Sequence, residues 1–279
     1  SEGEAGRKVG GAREPMLLRD YGRNDSRPLA YYLSRGGYEG LKRARAKAPS
    51  EVVKEVEESG LRGRGGAGFP TARKWKFLPS DGRPRYLVCN CDESEPGTFK
   101  DRALITYSPH MLVEGILIAC HAIEASAAYI YVRGEYAAEA VILARAIEEA
   151  RSAGLLKGAD GKVVDITVHR GAGAYICGEE TALLSSLEGR RGYPRIRPPF
   201  PATHGVWGSP TIIQNVETLC NLPHIFTMEG KEYAKIGPPA SPGPKIYGIS
   251  GHVNRPGLYE RPMSVTLREL IEEAGGVLG

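Results

Sequence analysis

The 279-residue sequence lacks the usual devices of hydrolytic and triphosphate chemistry. It has no G-x-S-x-G elbow, and its six histidines show no metal-ligand spacing, so nucleophilic hydrolysis and a histidine metal centre have no support. Gly173 and Gly178 have the spacing of a P-loop, but Glu179 stands where that loop needs lysine and Glu180 follows it. Carboxylates there repel a triphosphate tail, which argues against ATP or GTP turnover. The stretch GAGAYICG, residues 171 to 178, also misses the G-x-G-x-x-G dinucleotide spacing. The longest apolar stretch, Met111 to Val132, contains Glu114, His121 and Glu124, and so predicts a helix followed by a strand instead of a membrane span. Residues 1 to 15 are polar, without the apolar centre of a secretory signal, and are expected to form a loose arm. A net charge of +4 is too weakly basic to imply a nucleic-acid partner. The five cysteines are an odd number, which predicts reduced thiols in a cytoplasmic setting. Cys89 and Cys91 share one side of a predicted strand, but no second pair has ligand spacing, so buried thiols are expected there.

Against these absences stands GLRGRGGAGFPTARKWK, residues 60 to 76. Five of its first nine residues are glycine, with Arg62, Arg64, Arg73, Lys74 and Lys76 around them. Glycine packs nothing and is costly to order, so such density points to backbone lying against a ligand, with an anion, most simply a phosphate, as the occupant the basic side chains suit; a mobile surface loop with solvated charges is the alternative.

The pattern along the chain is βαβαβα. A helix over about Glu51 to Ser59 is ended by Gly60; YLVCN, Tyr86 to Asn90, is a buried strand; Pro109 opens a helix reaching about Ala127. Tyr129 to Val132 is a second strand, residues 136 to 154 a helix, VVDITVH at 163 to 169 a third strand, and Glu180 to Glu188 a further helix. This alternation predicts an α/β fold with a parallel sheet covered by helices. Ligands in such sheets sit at the carboxyl ends of the strands. The segments leaving the three strands, CDESEPGTFKDR, RGEY and RGAGAYICGEE, are rich in charge and glycine. Asp92, Glu93 and Glu95 suit ribose or ribityl hydroxyls, Glu179 and Glu180 complement a helix dipole, and Phe69, Trp75, Phe77 and Phe200 offer rings for stacking. A ligand that needs both the basic loop and the carboxylates is a flavin nucleotide or NAD, and redox chemistry on a flavin needs no protein acid or base. RRGYPRIRPPFPATHGVWGSP, residues 190 to 210, is a proline-stiffened wall, and residues 245 to 276 form two strands around Asn254 to Gly257 and a helix opened by the capping box Thr266 and Glu269.

The segments SGLRGRGGAGFPTARKW, CNCDESEPGTFKDR, GAGAYICGEETALLSSLEGRR, RPPFPATHGVWGSPT and NVETL, in this order, closely resemble the NADH-binding flavoprotein subunit of respiratory complex I, which is the F subunit in bacterial NADH:quinone oxidoreductases. The resemblance runs from about residue 30 to the end. It implies a loose arm over 1 to 29, a Rossmann-like FMN- and NADH-binding domain over 30 to 240, and the start of a β-grasp (SLBB-like) domain over 241 to 279. Gly63, Arg64, Gly65, Ala67, Lys74, Asn90, Asp92, Ser94, Tyr175, Gly178 and Glu179 would line FMN, with Asn215 and Thr218 near its phosphate. Phe69, Phe77 and Phe200 would hold the adenine end of NADH, and Glu95, Glu180 and Arg197 its remainder. The family usually has Gly at Ala72, Ala at Cys91, Lys at Arg197 and Asn at Gln214.

In the family the chain continues to a helical bundle that binds a 4Fe-4S cluster through cysteines absent from this sequence, so the chain is expected to be a fragment or short form that holds FMN and NADH but no metal. The resemblance further implies a thioredoxin-like 2Fe-2S subunit and the iron-sulfur subunit of the peripheral arm as partners. Neither nucleic acid nor a membrane span is implied, and the expected place is cytoplasmic, at the inner face of the cell membrane. The diaphorase subunit of a soluble NAD-linked hydrogenase or formate dehydrogenase shares these motifs, and a non-catalytic assembly protein is the alternative of a different class.

Overall fold

A computed structural model describes residues 14 to 158 and 161 to 279. Its centre is a four-stranded parallel sheet, in the order β3-β2-β1-β4: β1 is Tyr86–Cys91, β2 Ala127–Val132, β3 Asp165–Arg170 and β4 Thr211–Asn215. The parallel α/β architecture agrees with the sequence pattern, but that pattern contained only three strands. The short segment TIIQN follows the proline-rich loop and is buried at its first four positions, so it shows no two-residue alternation to mark it as a strand. Its pairing with β1, in the register Tyr86↔Thr211 to Asn90↔Asn215, makes β1 an inner strand.

The position of β4 decides where a ligand belongs. The chain proceeds outward from β1 through β2 to β3 and then returns to the opposite side of β1. Such a reversal opens a crevice beyond the carboxyl ends of the two strands that flank it, here β1 and β4.

The helix Pro109–Ile123 buries every residue except His121 behind the sheet. Being apolar on all sides, it belongs in a core, and each fully buried Leu, Ile or Val on it contributes roughly 1.5–3 kcal/mol. It stops four residues before the expected Ala127, because Glu124 takes a left-handed conformation and the Ala125 amide turns back to the Cys120 carbonyl. β2 accordingly starts at Ala127, before the expected Tyr129. The expected third strand is shifted as well: Val163 makes only an isolated bridge with Lys157, and β3 begins at Asp165. The other predicted helices lie at Pro49–Glu58, Ala137–Ser152 and Glu180–Leu187. All five cysteines are buried and unpaired. Among the described residues, no single helix is long and apolar enough to cross a membrane.

The strands β5, Pro244–Ile249, and β6, Gly257–Pro262, pair antiparallel, and the helix Leu267–Glu273 follows behind the Thr266–Glu269 capping box. Two buried carboxylates hold this hairpin to the rest. Glu217 accepts the Ile246 amide at 2.9 Å, and Glu260 accepts the amides of Met16, Leu17 and Leu18 at 2.8 to 2.9 Å. Of the arm expected to be loose, residues 1 to 13 lie outside the described residues, whereas Leu17 is buried in the core and its neighbours are pinned by Glu260.

Candidate ligand-binding crevice

At the carboxyl end of β4, Asn215 caps the helix Val216–Cys220, and the glycine loop lies directly against it. The Arg64 amide donates to Thr218 Oγ1 at 2.8 Å, and a Cβ placed on Gly65 would come within 3.1 Å of the Asn215 Cβ. Gly66 and Gly68 have φ of 120° and 62°, conformations that other residues rarely take. The Gly63 amide closes the loop on the Phe69 carbonyl at 2.9 Å, leaving Gly65, Gly66 and Ala67 exposed at its tip.

The basic side chains of this loop are not gathered around its tip. Arg62 donates to the Gly68 and Ala240 carbonyls; the buried Arg64 guanidinium donates to the Pro242 carbonyl at 2.7 Å; Lys76 pairs with Glu57. Arg73 lies over the Phe69 ring at 5.8 Å. Lys74, on the helix Thr71–Trp75 that follows, donates to Glu180 Oε2 at 3.0 Å and to the Ile213 carbonyl at 2.9 Å, so the tip itself offers backbone.

The second wall comes from the turn after β3. Glu179 caps the helix Glu180–Leu187 by accepting the Thr181 and Ala182 amides, each at 2.9 Å, which realises the helix-end role expected of it. Glu180 is held between Lys74 and Arg197, whose Nη1 donates to it at 2.8 Å. Arg197 also lies 3.6 Å from Glu179 and precedes two consecutive cis peptide bonds, Arg197-Pro198 and Pro198-Pro199. Tyr175, exposed on the same turn, donates its hydroxyl to Glu95.

The end of β1 joins the two walls. Asn90 Nδ2 donates to the Gly178 carbonyl at 2.9 Å, the Asp92 amide donates back to Asn90 Oδ1, and Ser94 Oγ donates to Asp92 Oδ2 at 3.2 Å. A Cβ on Gly178 would lie 3.3 Å from the Asp92 carbonyl oxygen, so glycine permits this approach. Burial pushes the Asp92 carboxyl up to about 6, opposed by the Ser94 hydroxyl and by Arg133. Glu93 is not available to a ligand. It accepts the Asp101 and Arg102 amides at 2.9 and 3.0 Å and the Tyr136 hydroxyl at 3.1 Å, and burial, with the Asp101 charge adding to it, pushes it up to about 7.

Of the four rings expected for stacking, Phe69 and Phe77 are exposed neighbours, with centroids 6.1 Å apart. Phe200 is exposed on the proline-rich segment without ring contact to either, and Trp75 is buried in the core and drops out.

Sequence reasoning missed Lys100, Asp101 and Glu217. Asn215 Nδ2 donates to Asp101 Oδ2 at 2.6 Å, while the Lys100 ammonium lies 2.8 Å from Asp101 and 2.9 Å from Glu217. Burial alone would lower the ammonium's pKa, but the two carboxylates outweigh it and hold it above its ordinary value. The available signal for Lys100 and Asp101 was a run of three charged residues, Lys100 to Arg102, opening a helix whose continuation, ALITY, is mostly apolar.

With this geometry in view, the comparisons with known proteins are specific. The family of the Nuo51 FMN-binding domain matches residues 56–224, and the SLBB domain matches residues 246–278. The F subunit of the NADH-quinone oxidoreductase of Aquifex aeolicus is 53% identical over 268 residues, covering 95% of this chain and 63% of that protein. An F subunit of the corresponding oxidoreductase of Rhizobium meliloti is 52% identical, covering 95% and 64%, and that of Escherichia coli is 52% identical, covering 91% and 59%. The chain thus spans less than two thirds of the length of these relatives. Among solved structures, an NAD+-reducing [NiFe]-hydrogenase in the air-oxidized state superposes with a TM-score of 0.81 at 43% identity, covering 90% of this chain and 43% of that one.

Proposed function

The chain belongs to the Nuo51 FMN-binding family, and on that premise we propose that it is the NADH-oxidising flavoprotein part of an NADH-quinone oxidoreductase. The observation that carries the reading is the cradle at the end of β4, where Gly65 and Asn215 approach so closely that a side chain at 65 would press on the Asn215 Cβ, 3.1 Å away. FMN, when bound, supplies the acceptor for the hydride of NADH. The residues present fit such a group: the exposed backbone of Gly65 to Ala67, the Asn215 amide and the Thr218 hydroxyl suit a phosphate end, and Asn90, Asp92, Ser94, Gly178 and Glu179 suit ribityl and ring.

Gly63, Arg64, Lys74 and Tyr175 complete the flavin side in this reading. Arg64 serves through its backbone, because its guanidinium is committed to Pro242. Phe69, Phe77 and Phe200 offer exposed faces for adenine, with Glu95, Glu180 and Arg197 toward the nicotinamide and ribose. Holding Glu180 between two cations keeps its carboxylate in one place for a ribose hydroxyl. No acid or base is required, since these groups bind and orient.

The same reading takes iron-sulfur subunits of a peripheral arm, a thioredoxin-like 2Fe-2S subunit among them, as partners that receive the electrons at the inner face of the cell membrane. The likeness to the NAD+-reducing hydrogenase supports a second reading, a diaphorase subunit, although its identity of 43% is below that of the NADH-quinone oxidoreductase relatives. An anaerobic absorbance titration of the FMN-reconstituted chain with NADH tests the proposal. Bleaching of the flavin band at stoichiometric NADH is expected; a chain that binds no FMN, or binds it without bleaching, overturns it.

A further inference from the structure

The three buried charges beneath the cradle, Lys100, Asp101 and Glu217, belong to none of the motif roles above. Asn215 has one amide group and two demands on it: its oxygen caps the following helix through the Thr218 amide at 3.4 Å, and its nitrogen donates to Asp101 Oδ2 at 2.6 Å. A flipped amide would place its oxygen against the Asp101 carboxylate and its nitrogen against an N–H donor, two repulsive contacts in place of two hydrogen bonds. Asp101 therefore decides which atom faces which way. The amide nitrogen carries two hydrogens and Asp101 takes one of them.

Asp101 is itself fixed on every side. Its backbone amide is held by Glu93, and its Oδ1 by the Lys100 ammonium at 2.8 Å, which is tied in turn to the fully buried Glu217 at 2.9 Å. Glu217 carries the Ile246 amide of β5 on its other oxygen. The side chains of Asp101 and Glu217 are 5% and 0% exposed, so their positions are set by these partners and not by water.

We propose that Asp101 is the positioning residue for the phosphate end of the ligand: it orients the Asn215 amide so that the remaining N–H is offered beside Gly65, with Lys100 and Glu217 locking Asp101 in place. This deepens the flavin reading and rests on it. Asp101 does not touch the ligand and acts through Asn215.

The experiment compares FMN with riboflavin, which lacks the phosphate, by flavin-fluorescence quenching on the whole 279-residue chain. In Asp101→Ala, FMN affinity is expected to fall about tenfold while riboflavin affinity stays within about twofold, the loss of one charge-assisted hydrogen bond confined to one end of the ligand. Asp101→Asn can turn its one oxygen toward Asn215 only by setting its NH2 against the Lys100 ammonium, so it is expected to weaken FMN as Asp101→Ala does, again with riboflavin spared. The double variant Asp101→Ala with Asn215→Ala is expected to be no weaker than Asn215→Ala alone. Equal losses for FMN and riboflavin, or additive losses in the double variant, would overturn the proposal. Should Asp101→Ala not fold, Asp101→Ser, whose hydroxyl falls short of Asn215, is read for the same FMN-to-riboflavin ratio. A wild-type chain that binds neither flavin removes the flavin reading itself, whereas normal wild-type binding with an unchanged ratio in the variants removes only the role of Asp101.

Discussion

Lys74 and Glu180, 106 positions apart in the chain, meet at 3.0 Å and close the crevice between the glycine loop and the helix after β3. The same ammonium also binds the Ile213 carbonyl on β4, so one side chain ties together three segments far apart in sequence. Replacing it with methionine leaves a partly buried carboxylate and a carbonyl without their shared donor. Lys74→Met is expected to cost about 1–2 kcal/mol in urea unfolding and to weaken flavin binding. An unchanged urea midpoint would show that the bridge does not form in solution.

Gly65 and Gly66 are adjacent but are constrained for different reasons. A side chain at 65 meets Asn215 at 3.1 Å, whereas at 66 the space is open and only the φ of 120° resists. Gly65→Val is therefore expected to yield a folded protein without bound flavin, and Gly66→Ala a protein that keeps flavin but loses roughly 1–2 kcal/mol of stability. A yellow, stoichiometric Gly65→Val protein would contradict the cradle.

Glu93 makes stability depend on pH. Its native value of about 7 lies above the ordinary 4.5, so the folded state holds a proton that the unfolded chain releases. Its contribution is complete below about pH 4.5 and is lost as the pH rises through about 7. Relative to Glu93→Gln, the wild type is expected to lose on the order of 1–3 kcal/mol across that window. Parallel stability curves for the two proteins would refute this.

Glu260 accepts three consecutive amides from residues 16 to 18 while buried on β6. Glu260→Ala strands these donors, at an expected cost of about 2–4 kcal/mol. Limited proteolysis ahead of Leu18 should then speed up well before global unfolding, and equal cleavage rates would show that the clamp is dispensable.

Glu95 is exposed and accepts the hydroxyl of Tyr175, which lies on the turn after β3. Glu95→Gln is expected to shift NADH and NAD+ affinities severalfold and leave FMN stoichiometry intact. Identical nucleotide titrations before and after the substitution would remove Glu95 from the site.

Local chemistry determined much of this protein from its sequence alone. Period and caps announced the helices Pro49–Glu58 and Ala137–Ser152, the glycines announced a loop lying close against something, and charge after each strand announced the open end of a parallel sheet. Each of these signals resides in neighbouring residues, where propensity and capping act within one or two turns.

Only the tertiary structure decided which strand lies beside which, and therefore where the crevice opens. β4 has no alternation to betray it, and its pairing with β1 is a contact across more than a hundred residues. The same holds for the partners of charged groups. Arg64 and Glu93 read as ligand contacts because of their types and positions, yet one spends its guanidinium on Pro242 and the other its carboxylate on a helix end. Lys100, Asp101 and Glu217 became visible only once burial had brought them together. A side chain's type sets what it can bond to, but burial and chain closure set what it reaches, and an unpaired charge inside a protein costs too much to be left to local preference.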